Sequence, residues 1–501
     1  MEFDRNIRRF MEKAGFREDK INKFLNESRI ITAMIFLMAA GFVVLNFIRV
    51  FDNSFWGDEA YSINLTRMGF ADMIKQVGID VQAPFFYVLL KIFVIVLGNH
   101  GYVYHLVSFS AYLSLVCFLL FVVRKEYGNI ATALMLIFST LTTNSLIYMT
   151  EIRMYQWGCV LVFLSFYYSV RIMKSDDLKN WIIFSVVSLM AAYSQTYCLI
   201  AVAFLYVAII CIALFRKEHW KKCGDDASIA RGKKFRMRTV AICAVAVAAY
   251  LPWLFVLFYQ VGHAAEGWWQ TQIPTVMELF VNHFDHGWMV VVLIMVVGAF
   301  VATIITSGTK SHREEMGTVI IGALSVLGTA LVGLGMCYFI RPMFLDKYFY
   351  PLAGISYFLF AYMISKIRFG GIPAVIVAGL FLIIGAKNYK VEFSNARYID
   401  AGTNAFIENL NFDSDTVVYA NSDHYHWAIL PCYYPNADIR NAEGAEFDFD
   451  GVDGKDVYLV WVTEVGSKEN TTFDERGETL NLVYTGNIGN HLPLWVYKAV
   501  K

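Results

Sequence analysis

The sequence predicts an α-helical polytopic membrane protein with a small α/β domain at its C-terminal end. Three observations predict it. Of the 501 residues, 57% are hydrophobic and only 17% charged, whereas soluble domains have about a quarter of their residues charged. Apolar runs near the ~20 residues needed to cross a bilayer recur as far as residue 386. Beyond about residue 388, Asn, Asp and Glu become frequent, and "TVVYA" (416–420), "DVYLVWV" (456–462) and "LPLWVYK" (492–498) read as strands between turns. The formal net charge is zero, so bulk charge calls for no polyanion and no nucleic-acid partner is expected. Seven of the eight Cys lie in or beside apolar runs and only Cys432 in the tail, so no disulfide framework is readable.

The N-terminal segment 1–29 is charged and too long for the n-region of a cleaved signal peptide, and no small-residue cleavage site follows. The first span is therefore expected to be retained, with 1–29 in the cytoplasm. Lys and Arg in short loops mark the cytoplasmic side. The strongest such marker is 216–238, with nine basic residues against three acids. Weaker ones are "RKEYG" (124–128), "RIMKSDDLK" (171–179), "TKSHR" (309–313) and "SKIR" (365–368). Keeping all of them inside yields eleven spans, at about 30–50, 102–123, 130–149, 156–173, 180–194, 198–215, 239–258, 286–306, 317–338, 348–364 and 372–386. Pro84 to Leu97 is 14 residues long and carries Lys91, so it is expected to be a juxtamembrane or partly embedded helix. The expected organisation is a cytoplasmic segment 1–29, a transmembrane domain 30–387 with external loops 51–101 and 259–285, and an extracytoplasmic α/β domain 388–501, all in the plasma membrane.

This threading gathers 51–83, 150–156, 193–198, 259–285 and 340–348 on the outside. Ile63, Phe70, Met73, Ile74 and Val77 recur at helical spacing, so 61–77 reads as one amphipathic helix lying in the membrane plane. The loop 259–285 has no Lys or Arg, and Trp268 and Trp269 suit a segment resting on lipid. Its His263 and His283 are either metal ligands or, as is commoner, simply solvated. The paired acids Asp58 and Glu59 in "FWGDEAYS" follow the first span. Adjacent loop acids often do no more than solvate a loop end, but a carboxylate at the water–lipid boundary can also serve as a general base. Arg153, in "EIRMY" beside Tyr155, is expensive at a span end unless paired. Its partner is either Glu151 or a phosphate, which a guanidinium fork suits. Arg341 and Lys347 in "RPMFLDKY" are a second pair of cations, for a phosphate or for lipid headgroups.

In chain order, "WGDEA", "DVQAPFFY" (80–87), "EIRMY" and "LPW" (251–253) resemble the GT-C fold polyprenyl-phosphate-sugar glycosyltransferases. The nearest pattern is that of the glycosyltransferase family 39-like superfamily of protein O-mannosyltransferases and aminoarabinose transferases. The resemblance runs from about Arg29 to Tyr348, with a weaker echo in "CYYPNA" of the tail. It implies an inverting membrane glycosyltransferase with Asp58 as the catalytic base, while Glu59 orients it, holds a water or binds a metal. It further implies donor-phosphate binding by Arg153, Tyr155, Arg341 and Lys347, with Asp80, Gln82, Glu151 and Gln195 as neighbours of the substrate or a metal. Gln82 and Gln195 stand where the family has His. An amide neither titrates nor ligates metals as imidazole does, so a divalent metal is not required by the sequence. These amides either answer a different sugar or acceptor or hydrogen-bond within the bundle. The partners implied are a polyprenyl-phosphate-sugar donor, a hydroxyl-bearing acceptor (protein, lipid or glycan) and membrane lipid. The competing readings are a transporter or flippase without glycosyl transfer, and a scaffold or receptor. A transporter should carry mid-membrane charges and inverted repeats, and the sequence shows neither.

Overall fold

The computed structural model describes residues 18–222, 226–267, 272–285, 287–307, 312–342, 344–367, 370–442, 448–462 and 479–500. Each of the predicted crossings coincides with helix over most of its described residues. The first helix, α1 (Glu18–Phe47), ends in a short 3-10 turn. A group of short helices follows: α2 (Gly57–Arg67), α3 (Phe70–Ile79) and α4 (Pro84–Leu97). Helix α5 (Gly101–Phe118) runs through a π-helical turn into α6 (Arg124–Leu141). The chain reverses at Gly128, whose φ of 89° is open to a residue without a Cβ. Tyr112 Oη and Thr140 Oγ1 then meet at 2.9 Å, so α5 and the body of α6 form a hairpin.

After the short α7 (Thr143–Tyr148) come α8 (Tyr155–Lys174), α9 (Leu178–Ala192), α10 (Thr196–Lys222) and α11 (Asp226–Gly267). Then follow α12 (Val276–His283), α13 (Gly287–Ser307), α14 (Arg313–Phe339), α15 (Asp346–Phe349), α16 (Ala353–Lys366) and α17 (Gly371–Asn409). Among the described residues, eight helical stretches are long and apolar enough to cross a membrane, the α5–α6 hairpin counting as one. Their outer faces leave large apolar side chains such as Leu37, Phe215 and Phe339 exposed, as lipid contact requires. Helix α16 is the exception, with Ala353 to Ile364 all buried at the centre of the bundle.

The loops sort by end. Glu126 pairs with Arg171 and Lys174, each at 3.3 Å, Asp176 with Arg238 at 2.8 Å and Glu315 with Lys366 at 3.9 Å. These are the corners expected on the cytoplasmic side. The corners expected outside gather at the other end, with the sheet domain. Helix α4 starts and finishes at that same end: Phe85 N donates to Tyr193 O at 3.0 Å, and Gly101, just past the helix, lies against Asn53 and Phe55. Both ends of this helix thus meet corners expected outside.

Several boundaries differ from expectation. The single amphipathic helix predicted over 61–77 is two helices, broken at Met68–Gly69 where the backbone turns extended. Ile63, Met73 and Val77 are buried against protein, and of the predicted lipid-facing set only Phe70 is exposed. The span predicted to end at 149 stops at Leu141 because Thr142 is extended. Much of the predicted loop 259–285 is helical, since α11 continues to Gly267 and α12 follows. Trp268, Trp269 and the side chain of His263 lie outside the described residues. His283 is not solvated; it is buried against the rings of Phe349 and Tyr357.

The C-terminal sheet has the order β2-β1-β3-β5-β4. Strands β1 (Thr416–Ala420), β2 (Asp438–Asn441) and β3 (Asp456–Val462) are parallel, while β4 (Thr479–Gly486) and β5 (Leu494–Val500) add antiparallel. Val417 and Tyr419 face one core and Val418 and Ala420 the other, so β1 is apolar throughout. Helix α17 carries the chain unbroken from the bundle to this sheet.

Candidate functional site

The site forms around the first turn of α2. Asp58 and Glu59 sit there, where the helix dipole favours negative charge. The approach to this turn is fixed by α17. Asp400 accepts from Asn53 N (2.9 Å), Ser54 N (3.0 Å) and Ser54 Oγ (2.8 Å), and Arg397 pairs with Asp52 at 3.0 Å. Glu59 reaches back to the Trp56 N–H at 3.4 Å, a capping-box contact, and its other oxygen accepts from Ile152 N at 2.9 Å. It thereby joins α2 to the tight corner 150–154, whose residues are all buried.

The neighbouring acids are electrostatic opposites. Burial, reinforced by the charge of Glu151, pushes Glu59 up to about 8. Burial together with Asp58 pushes Glu151 up to about 7. Burial alone would raise Asp58 too, but Arg153 and Lys347 outweigh it and hold the carboxyl below its usual range. Lys347 Nζ lies 3.1 Å from Asp58 Oδ2, over the rings of Trp56 and Tyr348. Arg153 reaches the same oxygen at 3.7 Å and also donates to Tyr87 Oη (3.1 Å) and Asp58 O (3.3 Å). The carboxylate paired with Arg153 is thus Asp58, not Glu151. Asp80 is also held above its usual range, chiefly by burial.

Two cavities open beside this cluster. The smaller, about 80 Å³, is lined by Gln82, Gln195, Gln260, Tyr197, Tyr348 and Met154 among others. The larger, about 510 Å³, runs between the bundle and the sheet domain; Arg49, Glu59, Glu151, Lys347, Asp400 and His491 are among its lining residues. Arg341, just past the end of α14, lines neither. Tyr155 is wholly buried, packed on Tyr148 at 5.0 Å, and its hydroxyl finds no hydrogen-bond partner among the described residues. Among those residues no three His, Cys, Asp or Glu side chains converge as a metal site.

Four participants are not evident from the sequence. Trp56 carries Lys347, and Tyr87 orients Arg153. Gln260 Nε2 lies within 3.3 Å of the carbonyls of Val77, Gly78, Asp80 and Gln82, at 2.8 Å for Gln82, and so ties α11 to the loop behind the smaller cavity. Its position in a segment without Lys or Arg was the one signal available. His424, from the sheet domain, packs so close to Gly57 that a Cβ there would stand 2.8 Å from its Nδ1. No sequence pattern links residues so far apart.

A bundle of membrane-length helices capped by an α/β domain, with charged corners meeting at the seam, is the GT-C architecture. Two solved structures share it across almost the whole chain. ArnT from Cupriavidus metallidurans in the apo state has a TM-score of 0.56 and 11% identity, covering 93% of this chain and 98% of that one. ArnT bound to undecaprenyl phosphate has a TM-score of 0.54 with the same identity and coverage. No protein-family profile and no curated protein sequence matches the chain.

Proposed function

We propose that the chain is a membrane glycosyltransferase that moves a sugar from a polyprenyl-phosphate-linked donor to an acceptor hydroxyl. The observation that carries this reading is the placement of Arg153 and Lys347, from distant parts of the chain, on the single carboxylate of Asp58. A neighbour of the same fold bound to undecaprenyl phosphate supports the donor class. The site and the sheet domain lie on the extracytoplasmic side of the plasma membrane, as the basic corners at the opposite end support.

In the resting state Asp58 occupies the cations. A donor phosphate competes for them through charge-assisted hydrogen bonds, and as it draws Lys347 and Arg153 away, the carboxylate becomes more basic. The acceptor hydroxyl, entering through the larger polar cavity, attacks the anomeric carbon and gives its proton to Asp58. The bond from that carbon to the phosphate oxygen breaks on the opposite face, inverting the centre, and the lipid phosphate leaves with its charge neutralised by Arg153 and Lys347. Glu59, protonated near neutral pH, holds the corner and takes no proton in the step.

Substituting Asp58→Asn in the purified protein tests this. Transfer should fall by at least about 10²-fold, the usual worth of a general base, while undecaprenyl phosphate binding is retained or tightened because a competing anion is gone. Turnover within a few-fold of wild type would defeat the assignment.

A further inference from the structure

One turn of the sheet domain reaches the site and has no part in the proposed reaction. Residues Tyr425 to Ile429 form a single π-helical turn, a backbone form found frequently at functional sites. The turn is held from both sides. Asn64 Nδ2 of α2 donates to Ala428 O at 3.0 Å, and Tyr425 Oη donates to Asn490 Oδ1 at 3.0 Å. Just past it, Arg67 donates to Pro431 O at 2.7 Å and to Cys432 O at 2.8 Å.

This turn and the two residues before it expose Asp423, His424 and Trp427. Trp427 is 39% exposed and is the one exposed tryptophan among the described residues, although an indole is usually well covered. Its ring lies 5.3 Å from Tyr61, with the planes 81° apart, and 6.0 Å from His424. Both neighbours lead to Asp58. Tyr61 follows it by three residues on the same face of α2, and His424 rests on Gly57, the residue before it. Against burial, the charge of His424 joins those of Arg153 and Lys347 in lowering the Asp58 carboxyl. Trp56 and Glu59, on either side of Gly57 and Asp58 in the chain, line the larger cavity, as does Asn490.

Chemistry narrows the ligand. An exposed indole flanked by an imidazole and a carboxylate suits a sugar ring, with its C–H face on the aromatic plane and its hydroxyls on the polar groups. Lipid is the other common neighbour of a tryptophan at a membrane boundary. From 421 to 439, however, the chain has no Lys or Arg, whereas a segment that rests on anionic headgroups is basic. A peptide is recognised largely through its main chain at a strand edge, or as a helix in an apolar groove, and this turn presents side chains instead.

We propose that Trp427, His424 and Asp423 form an acceptor subsite that stacks a sugar ring, so that the hydroxyl presented to Asp58 belongs to a glycan. The assignment deepens the glycosyltransferase reading above and rests on it.

The test uses the full chain in lipid nanodiscs and saturation-transfer NMR. The probes are the neutral hexasaccharides cellohexaose, maltohexaose and chitohexaose, with a Ser/Thr-rich peptide as competitor. At least one hexasaccharide should bind through its ring C–H protons. Trp427→Ala should weaken that binding about tenfold, the scale of one aromatic stacking contact, and Trp427→Phe by no more than about threefold. Undecaprenyl phosphate binding should be unchanged in both. Absence of binding by every hexasaccharide, binding untouched by Trp427→Ala, or displacement of the sugar by the peptide overturns the proposal. Brominated phospholipid in the nanodisc checks the lipid alternative. It should quench wild type and Trp427→Phe alike, and a quenched component that disappears with Trp427 overturns the proposal as well. Should Trp427→Ala fail to fold, His424→Ala takes its place with an expected loss of about threefold, and unchanged sugar binding there is equally fatal. A wild type that binds the hexasaccharide but no undecaprenyl phosphate is a different result, which removes the transferase reading and the acceptor role with it.

Discussion

The two cavities near the ion-paired cluster are built on opposite principles. One is small, uncharged and mostly apolar, with Gln82, Gln195, Gln260, Tyr197 and Tyr348 among its lining; the other is several times larger and lined by carboxylates, Arg49 and Lys347, with the sheet domain as one wall. Glu59 lines the larger one, and it and its neighbour Asp58 contrast as sharply, one carboxyl held protonated by dryness and the other held ionised by cations. Two adjacent carboxyl groups thus acquire different chemistry from what surrounds them. Under the proposed function, the charged side admits the acceptor.

The sharpest way to break this division is Arg153→Ala. Its guanidinium is buried and central to the corner, so removal should cost about 10²- to 10³-fold in kcat, the scale for losing one preorganised donor to a developing anion, as measured with a synthetic lipid-linked donor. A loss of only a few-fold would place the phosphate elsewhere. Lys347→Met should cost less, about tenfold, because Lys347 is more exposed. It should also move the acid limb of the pH–rate profile to higher pH. Asp58 is held below its usual range partly by Lys347, so without it the carboxyl protonates at a higher pH and activity is lost sooner on acidification. An unmoved acid limb would show that Asp58 does not set it.

Glu59→Gln should have the smallest effect, and on stability. A carboxyl raised to about 8 in the folded chain binds its proton more tightly than when unfolded. Its contribution is fully present below the ordinary carboxylate range and is lost as pH rises through about 8. Wild-type melting temperature should therefore fall by a few degrees, on the order set by one displaced proton, between pH 5 and pH 9. The Gln variant should show a flatter profile, measured by thermal unfolding in detergent. The same slope in both would locate the titrating group elsewhere.

Hydropathy was enough to read the order of the long apolar helices, because that follows from burying apolar length. Against the eleven crossings it suggests, eight helical stretches among the described residues are long and apolar enough to cross a membrane. That Pro84–Leu97 forms a short helix of its own was legible from its bounded apolar run. Strands β1 and β3 were legible from their composition, whereas β2 and β4 are partly exposed and carry no apolar run. The helix break at Met68–Gly69 was not legible, since Ile63, Met73 and Val77 keep a helical period across it and only tertiary packing shows that their apolar face meets protein. At the site, the sequence offered Asp58, Arg153 and Lys347 as separate candidates. That they share one carboxylate is a fact of folding across some 290 residues, as are the approach of His424 to Gly57 and the grip of Asp400 on Ser54.

That grip depends on α17 being a single helix of 39 residues. Such a rod is about 58 Å long, and each residue in it sets an angular phase of about 100°. Deleting one residue between the membrane and Arg397 would rotate Arg397, Asp400 and the whole sheet by nearly a third of a turn. Asp52 and Ser54 would lose their clamps although every clamping residue was still encoded. The chain therefore measures the orientation of its outer domain by counting residues along one helix.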